Sequence, residues 1–396
     1  MKINMKDNAI LVMNAGSSSI KFAIFSLKSG IQKINSGIID KINLVPEFTI
    51  YDIDKKIILD EKLDLNDYEQ IVKYLISSIN KLLINFNLIA VGHRVVHGGN
   101  HYLNPILIND EIIEGLTKLI PLAPLHQPYN LKLITTLRKI DPKLPQVACF
   151  DTAFHATQNQ LVRQFAIPKE LFNEGVLKYG FHGLSYEYIA KILPKYFKEN
   201  IAKGKIVIAH LGNGASCCAI NNLQSVVTSM GFTALEGLMM GTRCGNIDPG
   251  VILYLLEEKK LTLKETTKLL YSGSGLLGVS GVSSDVRELE ASKDPKAKEA
   301  LELFCYRASR EMLAVCTMLR GLDGIVFTAG IGEHSAFVRA KICEWLSWLG
   351  VKIDQKANQN NNQIISTDDS KIIVGVISTN EELMIAEHTN SLITII

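Results

Sequence analysis

The chain has 396 residues, of which 47% are hydrophobic and 21% charged, and its formal net charge at pH 7 is +2. This length is typical of two globular domains, and the nearly balanced charge implies no basic face, so nucleic acid is not the expected partner. The apolar runs are too short for a signal peptide or a membrane span, which predicts a cytoplasmic protein with no membrane partner. The seven cysteines include no C-x-x-C pair, which predicts reduced thiols.

The first half opens with strand patterns and continues with alternating helices and strands. Strands are predicted at "AILVM", "SIKFAIFSL", "INSGIID" and "FTIYDIDKKIILD", the last a hairpin turning at Asp54-Lys55. A helix follows in "NDYEQIVKYLISSINKLLI", with Asn66 as its N-cap. The remaining predicted elements are a strand "LIAVGHRVV", a helix near 109–120, a turn "PLAPLHQP", a helix to about 140 and a strand "QVACF".

The second half repeats this order. Its predicted elements are a strand, Gly-rich turn and strand in "KIVIAHLGNGASCCAINN", a strand "QSVVTSMGF", helices at about 247–259, 263–271 and 295–320, a strand "GIVFTAG", a helix "HSAFVRAKICEWLSWLG", a strand "KIIVGVIST" and a final helix capped by Asn380. The shared order indicates an old duplication, an α/β fold of two domains facing across a cleft. The polar tract "ANQNNNQ" (357–363) predicts a surface loop without function.

Two Gly-rich turns, "NAGSSS" and "HLGNGAS", occupy equivalent places in the two halves. Backbone N–H groups and small hydroxyls in such turns form an anion-binding concavity. One turn alone is more often a plain hairpin, but two in matching positions favour a polyphosphate ligand. Lys21 supplies a cation beside the first turn, although a lone lysine on a strand is usually solvated.

The segment "GHRVVHGGNH" places His93, His97 and His101 four residues apart. On a helix this spacing suits zinc, but the pair Val95-Val96 and the glycines that follow argue against a helix. Arg94 is the stronger candidate, because it lies at the carboxyl end of a strand, where α/β sheets bind ligands.

Three further residues suit phosphoryl transfer. Asp151 ends the strand "QVACF", His182 lies in "YGFHGLSY", and Arg243 lies in the Gly-flanked loop of "LMMGTRCGNIDPG". Each has a plainer interpretation: Asp151 as a helix cap and His182 as a core histidine. Together with Arg94 they offer fixed donors for charge that spreads over the equatorial phosphoryl oxygens.

Two segments suit a nucleotide. Gly330 and Gly332 in "VFTAGIGEHS" allow close backbone approach, although Ser335 stands where a dinucleotide fingerprint needs a third glycine. Asp285 and Arg287 in "SSDVREL" are candidates for a ribose or base, or are simply charges at a helix start.

Ten motifs in this order resemble the acetate kinase family over nearly the whole chain: "NAGSSSIKF", "GHRVVHGG", "PLAPLH", "FDTAFH", "YGFHG", "HLGNGAS", "LEGLMMGTR", "SGLLGVSGVSSDVRE", "TAGIGE" and "TNEELMIA". The resemblance implies two duplicated ribonuclease-H-like domains of the actin-like ATPase type. Residues 1–152 would form an acyl- and phosphate-side domain, with a C-terminal helix at about 383–396 packing back on it. Residues 153–382 would form the nucleotide-binding domain.

The resemblance also implies reversible ATP-dependent phosphorylation of acetate to acetyl phosphate, by direct in-line transfer in a homodimer. ATP or ADP would be the co-substrate, and Asn14 and Glu381 would lie near Mg²⁺, with Mn²⁺ as an alternative. Arg94 and Arg243 would bind the carboxylate and the phosphoryl group. A carboxylate needs no general base, so Asp151 would orient the acyl substrate.

The remaining roles follow from the same motifs. His182 would stabilise the transition state. The implied acyl-substrate site consists of Arg94, Val96, Leu125, His126, Phe181 and Ala234. The implied ATP site consists of Ser17, Ser19, Lys21, His210, Leu211, Gly212, Asn213, Gly214, Asp285, Val286, Arg287, Gly330, Ile331, Gly332, Glu333 and His334.

Four positions depart from the family pattern. Ala234 replaces the usual Pro, Cys244 a Ser, Asn246 an Asp and His334 an Asn. Two alternatives remain beside acetate kinase: a propionate kinase of the same family, and a nucleotide-gated ATPase switch of the same superfamily. A switch needs neither an acyl pocket nor a pair of transfer arginines, and both are expected here.

Overall fold

The computed structural model describes residues 6–394, so the start of the predicted first domain (1–5) and the last two residues of the predicted C-terminal helix (395–396) lie outside it. The chain divides into a first unit, which runs to Ala153 and resumes at Asn380, and a second unit, Phe154–Thr379. The predicted boundary at 382 differs from this one. The C-terminal helix, Glu381–Ile393, packs on strands of the first unit, so Glu381 belongs there.

The first unit is built on one eight-stranded sheet of order β5-β4-β3-β2-β1-β6-β8-β7. Strands β1 to β5 are antiparallel neighbours, β6 lies parallel to β1, and β8 lies parallel to β6. The carboxyl ends of β1, β6 and β8 therefore meet at one edge. The strands are β1 Asp7–Ala15, β2 Ile20–Ser26, β3 Gln32–Asp40, β4 Glu47–Tyr51, β5 Ile57–Lys62, β6 Phe86–Val95, β7 Ile106–Leu107 and β8 Gln146–Phe150.

The helices of the first unit cover this sheet. They are α1 Tyr68–Leu82, α2 Asp110–Thr117, α3 Gln127–Ile140 and the C-terminal helix, with a 3₁₀ turn at Ile120–Leu122. The predicted cap of α1 is wrong by one residue: Asp67, in extended conformation, accepts the Gln70 N–H at 2.9 Å, so Asn66 precedes the cap. Apolar residues of α1 pack against the sheet beside Phe22 and Phe48, which anchors the helix.

The second unit is built on a five-stranded sheet of order β11-β10-β9-β12-β13. Its strands are β9 Ile206–Leu211, β10 Ala215–Asn221, β11 Gln224–Thr228, β12 Gly324–Thr328 and β13 Ile373–Val376. Its helices are α4 Gln160–Arg163, α5 Lys169–Asn173, α6 Gly183–Ile192, α7 Glu199–Ala202, α8 Pro249–Glu257, α9 Leu263–Ser272, α10 Gly275–Ser280, α11 Val286–Ala291, α12 Pro295–Leu319, α13 Ala329–His334, α14 Ala336–Trp345 and α15 Gln355–Gln359. The 3₁₀ turns are Ala153–Thr157, at the boundary of the units, and Leu193–Lys195 and Ser347–Leu349.

Two predictions in this unit are corrected. The helix expected over 334–350 is shorter: α14 begins after Ser335, whose side chain caps it by accepting the Val338 N–H at 3.0 Å, and His334 ends the separate short helix α13. The tract 357–363 is not a plain surface loop, because α15 forms its first part and Asn358 is only 1% exposed.

The two sheets share one topology, which confirms the predicted duplicated α/β fold. In each, a three-stranded antiparallel meander is followed by two parallel strands: β3-β2-β1-β6-β8 in the first and β11-β10-β9-β12-β13 in the second. The predicted Gly-rich turns join β1 to β2 and β9 to β10. None of the helices within residues 6–394 combines the length and apolar character that crossing a bilayer requires.

Candidate active site

The edge of the first sheet collects three predicted site residues. Asn14 lies near the end of β1, opposite Lys21 of β2, and Met13 pairs with His93 of β6. Arg94 is therefore beside Asn14 in register. Asp151 directly follows β8 and donates its backbone N–H to the Val95 carbonyl at 3.1 Å. The parallel strands thus bring together residues far apart in sequence.

Arg94, Asp151 and Glu381 form an arginine–carboxylate cluster. The Arg94 guanidinium donates from Nε to Oδ1 at 2.9 Å and from Nη2 to Oδ2 at 2.7 Å of Asp151. Glu381 Oε2 lies 3.8 Å from Arg94 Nε, in the first turn of the C-terminal helix, which Asn380 caps as predicted. The Asp151 side chain is 3% exposed and binds Arg94, which argues against its plainer interpretation as a helix cap.

Burial and charge act against each other in this cluster. Burial raises the pKa of Asp151, and the Arg94 guanidinium and His126 oppose that shift. Burial likewise disfavours the cationic form of Arg94, but Asp151 and Glu381 outweigh it and raise the pKa of Arg94. Arg94 thus remains a cation, held in orientation by a bidentate carboxylate.

The turn between β1 and β2 is supported by Asn43, which was not among the predicted site residues. The Gly16 N–H bonds the Ser19 carbonyl at 2.8 Å and closes the turn. Asn43 Nδ2 donates to the Ser17 carbonyl at 2.9 Å, and the Ile42 N–H donates to Ser18. The chain after β3 therefore supports the turn from outside, an arrangement that strand patterns do not predict.

In the second unit, His182, His210 and Arg243 form a histidine–arginine cluster around Gly214. His182 has a left-handed φ of 59° just before α6, and its ring stacks on that of His210 at 4.2 Å between centroids. Its Nδ1 lies 2.8 Å from Ser216 Oγ. A Cβ on Gly214 would lie 3.3 Å from His182 Nε2 and 3.8 Å from Arg243 Nη1, so this glycine keeps the space between them open. His182 is half-buried, unlike a core histidine.

The Arg243 loop is held by its own backbone and by one departure from the family pattern. Arg243 Nη1 donates to the Ala234 carbonyl at 3.0 Å, and the Met240 N–H donates to the Arg243 carbonyl at 3.1 Å. Asn246 exchanges hydrogen bonds with the Gly237 backbone, both at 2.9 Å. Its Nδ2 also donates to Glu311 Oε1 of α12 at 2.9 Å. The amide of Asn246 thus ties the loop to α12.

Asn246→Asp is expected to disturb this loop. It would place a second carboxylate against Glu311, which is 8% exposed, and remove the donor between them. We expect kcat to fall about tenfold, with a lower Tm. Adding Glu311→Gln should restore both, because the glutamine amide can donate to Asp. Steady-state kinetics and thermal melts of the single and double variants check this; an Asn246→Asp enzyme with normal kcat contradicts it.

A cavity of about 520 Å³ lies between the β9–β10 turn, α11 and α13. Eight residues of the implied ATP site line it: Gly212, Asn213, Asp285, Val286, Arg287, Gly330, Ile331 and His334. Sequence analysis missed three others, Ser284, Glu290 and Ser335. Ser335 Oγ donates to Glu290 Oε1 at 2.5 Å. Asp285 caps α11 and pairs with Arg287 Nη2 at 2.6 Å, so the helix-start interpretation holds for it as well.

Other predicted residues lie outside this cavity. Leu211 is fully buried in β9, and Glu333 Oε1 accepts the Thr379 N–H at 3.2 Å. Ser17, Ser19 and Lys21 belong to the first unit. The predicted acyl pocket stays a prediction: Val96 is buried, Leu125 is 44% exposed, and Phe181 is buried.

Two of the closely spaced histidines, His93 and His97, are buried and bind protein groups. Within residues 6–394, no group of three His, Cys, Asp or Glu side chains is placed to hold a metal ion. His93 is buried and bonds Gln146 Oε1 at 2.8 Å, and burial lowers its pKa to about 4. The buried His97 accepts the Gly99 N–H at 2.9 Å, and burial lowers its pKa to about 4.

These two histidines are expected to make the protein acid-labile. Their pKa values are depressed on folding from about 6.5, so the unfolded chain binds more protons as the pH falls. Their contribution to the free energy of unfolding is present above pH 6.5 and is lost towards pH 4. By pH 5 each histidine has lowered the free energy of unfolding by about 2 kcal/mol. Urea unfolding at pH 7 and pH 5 measures the loss. In His93→Gln, the loss of unfolding free energy between pH 7 and pH 5 should be smaller by about 2 kcal/mol. His101 is exposed, so His101→Gln should leave this loss unchanged. Equal losses in His93→Gln and His101→Gln would show that His93 does not cause the acid lability.

Known proteins match nearly the whole chain. The model of the Acetokinase family matches residues 9–387. An acetate kinase of Rhodopseudomonas palustris is 48% identical over 96% of this chain and 97% of its own length. An acetate kinase of Rickettsia akari is 46% identical over 97% and 99%.

Two solved structures match in fold. The crystal structure of a Porphyromonas gingivalis acetate kinase has a TM-score of 0.88 at 35% identity, covering 98% of this chain and 100% of that one. The structure of a propionate kinase from Francisella tularensis has a TM-score of 0.90 at 38% identity, covering 97% and 99%.

Proposed function

Because the chain belongs to the acetokinase family and is a kinase, we propose that it transfers the γ-phosphoryl group of ATP to acetate, reversibly and without a covalent enzyme intermediate. The observation that carries the proposal is that each unit presents one arginine among polar groups at its strand ends and turns: Arg94 beside Asp151, and Arg243 beside His182 and Gly214. A nucleotide switch needs no such pair.

The chemistry requires positioning and charge stabilisation more than proton transfer. A carboxylate oxygen of acetate forms the new bond to the γ-phosphorus as the bond to the bridging oxygen of ADP breaks. Acetate is already an anion, so no base is needed. Arg94 meets the acetate carboxylate, and Asp151 orients Arg94. Arg243 and His182 donate to the phosphoryl oxygens, where charge spreads in the transition state.

The first unit has donors that fit Mg²⁺. The Asn14 amide oxygen and the Glu381 carboxylate are hard oxygen ligands, and Asp151 and Glu381 together exceed the charge of Arg94 by one negative unit. Asn14 and Glu381 would hold the ion, with Mn²⁺ as an alternative, and the ion would neutralise phosphate charge. The cavity between α11 and α13 takes the adenosine part of ATP or ADP, with Asp285 and Arg287 at its wall.

We further propose a cytoplasmic homodimer. The apolar helix α8, "PGVILYLLE", has no buried residue, and Leu253 and Tyr254 are 56% and 50% exposed. A second copy of the chain would cover this face, since the same apolar patch on both partners suits a two-fold interface. The seven cysteines are free, and buried thiols such as Cys217 suit a reducing compartment.

Acetate is expected to be preferred, with propionate used well. Ala234 lacks two ring carbons of the usual proline, which should deepen the acyl pocket, and one methylene there is worth about 10–200-fold in specificity. Ala234→Pro keeps the carbonyl that Arg243 binds and should shift kcat/KM further towards acetate. The ratio of kcat/KM for the two acids, measured in correctly folded enzymes, tests this. An unchanged ratio would remove Ala234 from the pocket.

The reverse reaction tests the proposed function itself. Acetyl phosphate, ADP and Mg²⁺ are mixed with the enzyme, and ATP is followed by luciferase luminescence. ATP formation that saturates with acetyl phosphate supports the proposal. Failure to form ATP, with ADP bound normally, would contradict it.

A further inference from the structure

The α14 helix buries an arginine that none of the proposed chemistry uses. Arg339 is 0% exposed, yet its guanidinium makes four hydrogen bonds to neutral amide and carbonyl oxygens. These acceptors are the Gly332 carbonyl at 2.9 Å, Asn358 Oδ1 at 2.8 Å, the Asn358 carbonyl at 2.7 Å and Asn361 Oδ1 at 2.6 Å. Burial lowers the pKa of Arg339 to about 10. A buried cation depends on every such acceptor.

Arg339 connects these acceptors to the wall of the cavity. The Gly332 carbonyl belongs to the last turn of α13, where helix carbonyls lack intrahelical partners and a cation is favourable. Gly330, Ile331 and His334 of the same short helix line the cavity. Ala329, at its start, has a φ of +63°, a conformation that alanine adopts only when its surroundings hold it. A helix of six residues needs such support from outside.

The support comes from the tract first interpreted as a functionless loop. Asn358 is buried and also donates from Nδ2 to the Ala336 carbonyl at 2.8 Å, between α13 and the body of α14. Asp354 caps α15 and fixes the start of the tract by accepting the Ala357 N–H at 2.8 Å. Asn361 has a φ of +52°, which asparagine tolerates better than most residues and which directs its amide to Arg339.

We propose that Asn358 and Asn361 are positioning residues for nucleotide binding, acting through Arg339 to hold α13 in place. The inference rests on the proposed function, because it assumes that an adenine nucleotide occupies the cavity between α11 and α13. Removing one acceptor leaves a guanidinium N–H unsatisfied, and the guanidinium then draws away from Gly332. Nucleotide affinity falls, whereas acetate, whose proposed contacts with Arg94 and Ala234 do not involve α13, is held as before.

Three substitutions within the tract test this. Asn361→Gly removes the side-chain amide, and glycine readily adopts the positive φ of this position. ATP binding should weaken about tenfold, as expected for the loss of one hydrogen bond to a charged group. Asn361→Asp keeps an acceptor oxygen and should bind ATP like the wild type. Asn360→Gly is the matched control, because Asn360 is exposed and is not one of the residues whose oxygens accept from Arg339 in these four hydrogen bonds.

Calorimetric titration with MgATP gives the dissociation constant, and steady-state kinetics give KM for acetate. Weaker ATP binding in Asn361→Gly alone, with an unchanged KM for acetate, supports the proposal. Equal ATP affinity in Asn361→Gly and Asn360→Gly overturns it, as does a parallel loss of ATP and acetate affinity, which marks general destabilisation. A wild-type enzyme that does not bind MgATP would refute the proposed function instead, so the two failures are distinguishable.

Discussion

Replacing Arg243 with lysine is expected to lower kcat by about a hundredfold or more, comparable to the loss of one transition-state donor. Arg243 Nη1 donates to the Ala234 carbonyl at 3.0 Å, and the planar guanidinium matches the geometry of phosphoryl oxygens. A lysine keeps the charge but is a point donor, so it cannot hold the carbonyl and chelate a phosphoryl group at once.

The measurement is kcat at saturating ATP and acetate, with thermal melts to show that the variant is folded. Arg138→Lys is the matched control, because Arg138 forms a surface ion pair with Asp110 at 3.1 Å and lies in none of the clusters. It should retain wild-type kcat. An Arg243→Lys enzyme as active as the control would remove Arg243 from the transition state.

Asp151→Asn is expected to have an effect at least as large. The amide offers one acceptor oxygen where Arg94 now makes a bidentate contact, and it turns an NH₂ group towards a cation. Removing one partner of a buried ion pair leaves the other charge uncompensated and lowers the free energy of unfolding by about 3–5 kcal/mol. We therefore expect kcat to fall by about a hundredfold or more and the Tm to fall as well.

Nucleotide binding separates this prediction from general unfolding. Every residue that lines the α11–α13 cavity belongs to the second unit, so Asp151→Asn should bind ATP normally. Asp110→Asn makes the same chemical change at a side chain that is 85% exposed and should leave kcat unchanged. Normal turnover by Asp151→Asn would show that the orientation of Arg94 does not limit catalysis.

Local patterns predicted the elements well because hydrophobic alternation and capping residues are local. The strand ends that carry Asn14, Arg94 and Asp151 were identified, as was the Asn380 cap that starts the C-terminal helix. A helix start was misplaced by one residue where two good capping residues adjoin, at Asn66 and Asp67. The short helix α13 was missed because the glycines of "TAGIGE" are typical of a turn.

Pairings between distant residues could not be predicted from spacing. Arg94 and Asp151 are 57 positions apart, and the register of parallel strands, which single sequences do not reveal, brings them into contact. Asn358 lies in a tract whose composition is typical of a solvated loop, yet its amide completes the shell of a buried arginine. Composition describes what a segment prefers on average, whereas the partner of one side chain depends on tertiary packing.

The most direct test of the account is whether ATP cleavage is coupled to acyl phosphate formation. Enzyme, MgATP, acetate and hydroxylamine are incubated, and acetohydroxamate and ADP are measured in the same samples. We predict one acetohydroxamate for each ADP, no ADP without acetate, and formation of both products slowed by about a hundredfold or more in Asp151→Asn. ADP that accumulates without acetohydroxamate, at a rate independent of acetate, would contradict the account and favour a nucleotide-gated ATPase.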